Sequence, residues 1–124
     1  MATTEMNCLA SGGGKSAIGQ KSVTLVQGTN NIDCGFIPSR VMHSLTIGGV
    51  YYVIVYDSDV STTQFHLYHN YGGTPTDAGM VSIGAGALLS NVGSLSNGKM
   101  GFAIDLDAPS ISSGINNFCY LAVG

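Results

Sequence analysis

The three histidines, His43, His66 and His69, are the side chains best suited to metal binding or proton transfer near neutral pH. His66 and His69 lie three residues apart in a segment whose apolar residues alternate, a pattern typical of a β-strand. Side chains three apart on a strand point to opposite faces, so these two cannot share a metal ion. The spacing predicts structural histidines, at the surface or partly buried, and no metal site.

The cysteines, Cys8, Cys34 and Cys119, are odd in number and show no CxxC spacing. Zinc knuckles and disulfide frameworks are built from closely spaced or even-numbered cysteines. We therefore predict reduced thiols that behave as small hydrophobic residues, and no bound cofactor.

Two pairs of carboxylates lie two residues apart, Asp57 with Asp59 and Asp105 with Asp107. On an extended backbone the members of each pair share one side. Oxygen ligands of this kind can bind Ca²⁺, but aspartates also cap the turns at which strands end. Because Pro109 would stop a strand directly after the second pair, the pattern favours turns.

The segment 12–16, GGGKS, is the one stretch that is similar to a phosphate-binding loop. The GxxxxGK[ST] spacing requires its first glycine at position 9, which is Leu9, and no apolar strand precedes the segment. A GxSxG nucleophile elbow is also missing from the sequence. These observations predict a non-enzymatic protein, with a small hydrolase as the remaining alternative.

The six tyrosines offer large contact areas that end in a polar hydroxyl, as protein interfaces and carbohydrate sites both do. Packing in the core or in hairpins explains Tyr51, Tyr52 and Tyr120 equally well. The absence of Trp disfavours a sugar platform without excluding it. The predicted ligand or partner contacts are Tyr51, Tyr56, Asp57, Asp59, Tyr68 and Tyr71.

Charged residues make up only 9% of the 124 residues, and the formal net charge is −3. No basic block is present that could neutralise a run of phosphates, so nucleic-acid binding is not expected. Because like copies repel one another weakly at such low charge, we expect self-association. A chain of this length forms one domain of ordinary size.

Short β-branched and aromatic runs, separated by Gly, Asn, Asp and Pro, predict a single all-β domain. About eight or nine strands at this spacing indicate an antiparallel β-sandwich or a jelly-roll-like domain. A tight hairpin at Gly48-Gly49 and a loop over 70–75 are also expected. The predicted strands are 22–26, 31–34, 40–47, 50–56, 64–69, 80–83, 87–92, 99–106 and 117–123.

The segment 50–56, VYYVIVY, is apolar on both of its alternating sides. Such a strand is either central and covered on both faces, or covered on its second face by a neighbouring subunit. Two uncharged stretches, 41–56 and 78–98, are too short or too polar to span a membrane, so no membrane association is expected.

The first 20 residues contain a glycine-rich run and lack the pattern of a secretory signal. We predict an N-terminal arm over 1–20 and a β-sandwich domain over 21–124. The arm is expected to pack against a neighbouring subunit or another protein.

The segments 35–41, GFIPSRV, and 118–124, FCYLAVG, together with the glycine-rich arm, make the chain similar to small β-domains of tailed-bacteriophage virion proteins. The resemblance implies a non-enzymatic structural protein, either a capsid decoration protein or a tail accessory subunit. It implies a homotrimer that docks on other virion proteins such as the major capsid protein, in particles assembled in the host cytoplasm. The alternative is a receptor module of a fibre tip that binds a host-surface glycan.

Overall fold

The computed structural model describes residues 16–20, 25–47, 49–106 and 118–124, which form nine strands and no helix. All strand pairs are antiparallel. The strands are β1 (Ser16–Gln20), β2 (Gly28–Asp33), β3 (Arg40–Ile47), β4 (Val50–Asp57), β5 (Gln64–Tyr71), β6 (Thr74–Ser82), β7 (Asn91–Ser94), β8 (Met100–Leu106) and β9 (Cys119–Val123).

Two sheets build the domain, which confirms the predicted all-β sandwich. Six strands lie in the order β1-β9-β3-β4-β5-β6, and three lie in the order β2-β8-β7. Alternate residues of each sheet enter one shared core, as expected for strands with one face covered. The buried core residues include Val41, Leu45, Ile54 and Phe65 from the larger sheet and Ile32, Phe102, Ile104 and Leu106 from the smaller one.

An aromatic cluster joins the two sheets. His43 of β3 stacks parallel on Phe102 of β8, with ring centroids 5.9 Å apart. Tyr120 of β9 meets Phe102 edge to face at 5.3 Å, and Phe118 packs against both His43 and Tyr120. Each pair adds a directional contact to the area that it buries, so the cluster fixes how the sheets face each other.

The hairpin between β3 and β4 confirms the prediction at Gly48-Gly49. Ile47 pairs with Val50, and Gly49 has a φ of 82°, which suits glycine in a two-residue turn. The predicted loop over 70–75 is wrong. Gly72 and Gly73 both have positive φ and form a second two-residue turn, so β5 runs on to Tyr71 and β6 begins at Thr74.

The predicted strand over 22–26 does not extend to its end, because Leu25 and Val26 lie outside any strand. The side chain of Asn30 accepts a hydrogen bond from the Val26 amide at 2.8 Å and donates one to the Val26 carbonyl at 2.8 Å. The Asn30 side chain thus makes the two backbone hydrogen bonds that a neighbouring strand would otherwise make with Val26. The next strand, β2, begins at Gly28, three residues before the predicted strand over 31–34, and residues 22–24 lie outside the described residues.

The predicted strand over 87–92 is also displaced, since β7 begins only at Asn91. The preceding residues form a loop that folds into the core, where Leu89 is fully buried. The Leu88 carbonyl accepts a hydrogen bond from His43, and the Ala87 carbonyl accepts one from the Asp105 amide. Residues 87–90 bond to the β8 backbone at Ala87 and Ser90 without forming a strand, so the apolar run indicates burial and not a regular strand.

A tight corner precedes β3. Gly35 has a φ of 78°, Phe36 is buried in the core, and Pro38 precedes the strand that starts at Arg40. The amides of Cys34 and Gly35 both donate to the Met100 carbonyl, which ties the corner to the start of β8.

Within the predicted N-terminal arm, β1 pairs with β9 at one edge of the larger sheet. Residues 1–15 of the arm lie outside the described residues, so its packing on a neighbour stays a prediction. None of the described residues belongs to a helix long and apolar enough to cross a membrane.

Candidate functional site: the apolar outer face of the larger sheet

The segment 50–56 forms most of β4, which lies in the interior of the six-stranded sheet. Its core side is covered by the domain, but its other side is open to solvent. Tyr51 on that side keeps 46% of its surface exposed, and Val53 and Val55 are half-buried. Within residues 25–47, 49–106 and 118–124 no layer covers this second side, so the described residues cover only one face of the strand.

Neighbouring strands extend this open side into what we call the apolar outer face. Strand register places Leu121, Met42, Val55, His66 and Met80 in one row from β9 to β6. The next row holds Cys119, Ser44, Val53, Tyr68 and Asp77. Three large side chains in these rows are well exposed, namely Met42 at 50%, Met80 at 42% and Tyr68 at 39%.

A hollow of about 320 Å³ lies at the β4–β5–β6 end of this face. Tyr51, Val53 and Tyr68 form an apolar side, while Asn70 and Asp77 supply an amide and a carboxylate. Pro75, Thr76 and His69 complete the wall. The combination of aromatic rings with a few polar groups suits a small neutral polar ligand or a partner's side chain.

The Tyr68 ring in this hollow is held in place by its neighbours. It stacks on His66 with ring centroids 4.4 Å apart and an angle of 1° between the ring planes. His66 Nε2 is hydrogen-bonded to Oδ1 of Asp77 on β6, and the Gly79 amide donates to the same oxygen. The hydrogen bond from His66 and the Gly79 amide lower the pKa of Asp77. The aromatic pair is thus a pre-ordered platform.

A second hollow of about 260 Å³ lies where β3, β4 and β9 meet, between Met42, Val55 and Leu121. Arg40 and Asp57 stand at its end. Arg40 Nε lies 3.2 Å from Asp57 Oδ2, and its Nη2 lies 3.4 Å from Asp59 Oδ2.

Asp57 and Asp59 belong to the turn that follows β4. The Asp59 amide donates to Asp57 Oδ1 at 2.9 Å, and the Val60 and Ser61 amides donate to the Asp57 carbonyl. The Asp59 amide, followed by the Arg40 side chain, lowers the pKa of Asp57. Asp105 likewise accepts a hydrogen bond from the Gly86 amide, while Asp107 lies outside the described residues. The prediction of turn-capping aspartates is confirmed for Asp57.

The six predicted contact residues separate into groups. Tyr51 and Tyr68 share the first hollow, and Asp57 and Asp59 flank Arg40 at the end of the second. Tyr56 is a correction, because the alternation of β4 turns it toward the core, where it is buried. Burial, followed by the charge of Asp57, raises the pKa of the Tyr56 hydroxyl. The Tyr71 side chain is outside the described part of the structure.

This surface also includes residues that were not predicted from the sequence, namely Met42, Met80, Leu121, His66 and Asp77. Alternation along β5 places His66 beside Tyr68 and could have identified that pair. Asp77 reaches them only because the register shifts between Leu67 and Tyr68, a bulge that the sequence does not announce.

The two described cysteines are free thiols in different settings. Cys119 is exposed on the apolar outer face, where its sulfur lies 3.1 Å from Ser44 Oγ. Cys34 is half-buried, and burial, followed by the charge of Asp33, raises the pKa of its thiol to about 11. Cys119 is therefore the better nucleophile of the two by exposure.

His43 is the most deeply placed titratable group of the described residues. Burial lowers its pKa to about 4, against a smaller opposing effect of the hydrogen bond to the Leu88 carbonyl. The neutral ring donates from Nε2 to that carbonyl at 2.7 Å. Strand alternation places His66 on the outer face and His69 on the opposite one, where the His69 ring meets Tyr52 edge to face with centroids 6.3 Å apart. Across the described ranges, no three His, Cys, Asp or Glu side chains are grouped to hold a metal ion.

Comparison with known proteins adds no relative: no family model, no curated protein and no solved structure matches the chain.

Proposed function

We propose that this protein is a non-enzymatic structural subunit of a tailed-phage virion that acts by adhesion. In this role it decorates the capsid or completes the tail, as a homo-oligomer that docks on other virion proteins. The particle would be its location, after assembly in the host cytoplasm.

The observation that supports the proposal is the apolar outer face. A solvent-exposed sheet face that carries Met42, Met80, Tyr51 and Tyr68 is unusual for a free monomer, which keeps its exposed apolar patches small. Because the protein carries little charge, electrostatic repulsion does little to prevent this face from binding other surfaces. A subunit fixed in a particle needs this kind of surface, because burial of apolar area holds it in place.

The test is binding of the purified protein to heads and to tails of the phage whose genome encodes it. We expect cosedimentation with one of the two, at many copies per particle for a shell protein and few copies for a tail protein. A stable monomer that sediments with neither particle would contradict the proposal.

A carbohydrate-binding receptor module is the second candidate, and the hollow beside Tyr51 and Tyr68 is the observation that favours it. The rigid Tyr68–His66 pair could stack on a sugar ring, while Asn70 and Asp77 could bind its hydroxyls. A glycan array decides between the two: specific hits that Tyr68→Ala abolishes would favour the receptor module.

A further inference from the structure

We infer that the apolar outer face is the surface by which copies of this chain bind one another. The inference rests on the proposed function, since it names the partner of the same face. It commits to a second copy of this chain as the occupant, against a peptide, a glycan or an unrelated protein.

The size of the face indicates a partner with a broad contact surface. Five strands, β9 to β6, carry it at a spacing of about 4.8 Å, and eight residues along a strand span about 26 Å. The face therefore covers roughly 600 Å², and burying it on two copies removes roughly 1,200 Å² from solvent, the lower bound for a stable interface. A single extended peptide is too narrow to cover five strands.

The charged side chains of the face lie near its ends and are paired, so its centre can be buried against an uncharged surface. Arg40 is already paired with Asp57 and Asp59 at one end, and Asp77 is bonded to His66 near the opposite edge. Between them the rows hold aliphatic, aromatic and small polar side chains. A partner can cover this centre without leaving an unpaired buried charge.

A second copy of the chain meets both requirements. It offers a face of equal width whose centre is equally free of charge, and whose rim charges are equally paired. In the expected trimer each copy would instead share this face between two neighbours around a common axis.

The test compares lysine substitutions on the two outer sides of the sandwich. Met42→Lys and Met80→Lys place a charge on the apolar outer face at well-exposed positions, so the fold should tolerate them. Thr29→Lys is the matched control, since Thr29 is exposed on a strand of the other sheet. Light scattering at increasing concentration gives the mass of each protein, and circular dichroism verifies folding.

We expect an oligomer for the original chain and for Thr29→Lys, and at least about tenfold weaker association for Met42→Lys and Met80→Lys. Alkylation of Cys119, located by mass spectrometry, should be slow in the oligomer and fast after dilution. This second readout needs no substitution and covers the case in which a lysine variant fails to fold.

A monomer at all concentrations overturns the inference, as does an oligomer that both lysine variants preserve while Cys119 stays reactive. A glycan that binds the hollow of a monomeric chain overturns it as well. Cosedimentation with particles keeps the proposed function separate: a monomer that binds particles refutes only the inference, and an oligomer that binds none refutes only the function.

Discussion

The two outer sides of the sandwich follow the same alternation of residues but differ in chemistry. The outer side of the three-stranded sheet carries Thr29, Asn31 and Asp33 on β2 and Asn91 on β7. The apolar outer face of the six-stranded sheet instead carries methionines, valines and tyrosines.

Several polar side chains of the smaller sheet are hydrogen-bonded within the chain. Asn31 Nδ2 donates to Ser96 Oγ at 3.1 Å, Asp33 accepts from the Gly35 amide at 2.9 Å, and Asn91 donates to the Ser94 carbonyl at 2.7 Å. These polar side chains bond within the chain, whereas the apolar outer face exposes Met42, Met80 and Tyr68. The difference is consistent with the inference that the apolar outer face binds a second copy of the chain.

The largest expected effect is at Gly101, which lies buried on the outer side of the smaller sheet. A Cβ added there would lie 1.9 Å from the Ile32 carbonyl oxygen and 2.9 Å from the Cys34 amide nitrogen. Because both neighbours are backbone atoms, Gly101→Ala should reduce the free energy of unfolding by about 4 kcal/mol or more. Urea denaturation measures the loss.

Gly84→Ala is the matched control for Gly101→Ala, since its Cβ would meet open space. We expect a change within about 1 kcal/mol. Equal losses of stability for the two variants would refute the close approach between Gly101 and the backbone of Ile32 and Cys34.

The next effect compares the two sides of the larger sheet directly. Ile54 is fully buried and Met42 is half exposed, and they lie on opposite faces of neighbouring strands. Ile54→Ala should lower the free energy of unfolding by about 3 to 4 kcal/mol, and Met42→Ala by less than about 1 kcal/mol. The comparison is made by chemical denaturation at low protein concentration, so that association between copies does not contribute. A larger loss for Met42→Ala would show that its face is packed within the single chain.

The core between the faces should respond to pH through His43. Its pKa is about 4 in the folded protein and 6.5 for an ordinary histidine, so the unfolded chain binds the proton first. The free energy of unfolding is highest above about pH 7, and it decreases by about 3 kcal/mol as the pH falls from 6.5 to 4. Denaturation at a series of pH values measures this slope. His43→Phe, which leaves His66 and His69 in place, should remove most of this pH dependence. An unchanged pH dependence would show that a group other than His43 causes it.

The smallest effect is expected at the rim of the apolar outer face. Arg40 is well exposed, and exposed ion pairs contribute little. Arg40→Met should change the free energy of unfolding by about 0.5 kcal/mol at low salt and by less at high salt. Thermal melts at two salt concentrations measure this. A large, salt-independent loss would instead give Arg40 a structural role beyond the ion pair.

Strands β3, β4 and β5 were predictable because β-branched and aromatic residues mark them and short turns bound them. The hairpin at 72–73 was missed, although Gly-Gly between two strands allows the positive φ values of a tight turn. Leu88 and Leu89 misled the strand prediction, since an apolar run indicates burial and does not specify strand pairing. The site was predictable only in part. Tyr51 and Tyr68 were identified, whereas Tyr56 could be placed only once the register of β4 was known.

The amino-acid sequence by itself determined the fold class, the low charge and the alternation that divides each strand into two sides. These are properties of local composition and of the two-residue period of a strand. Only the tertiary structure decided which side of β4 faces the core, because three strands cover one side of the larger sheet and none of the described residues builds a layer over the other. It also decided that Met42, Tyr68 and Met80 share one surface, since they lie on three strands whose register depends on turns and a bulge.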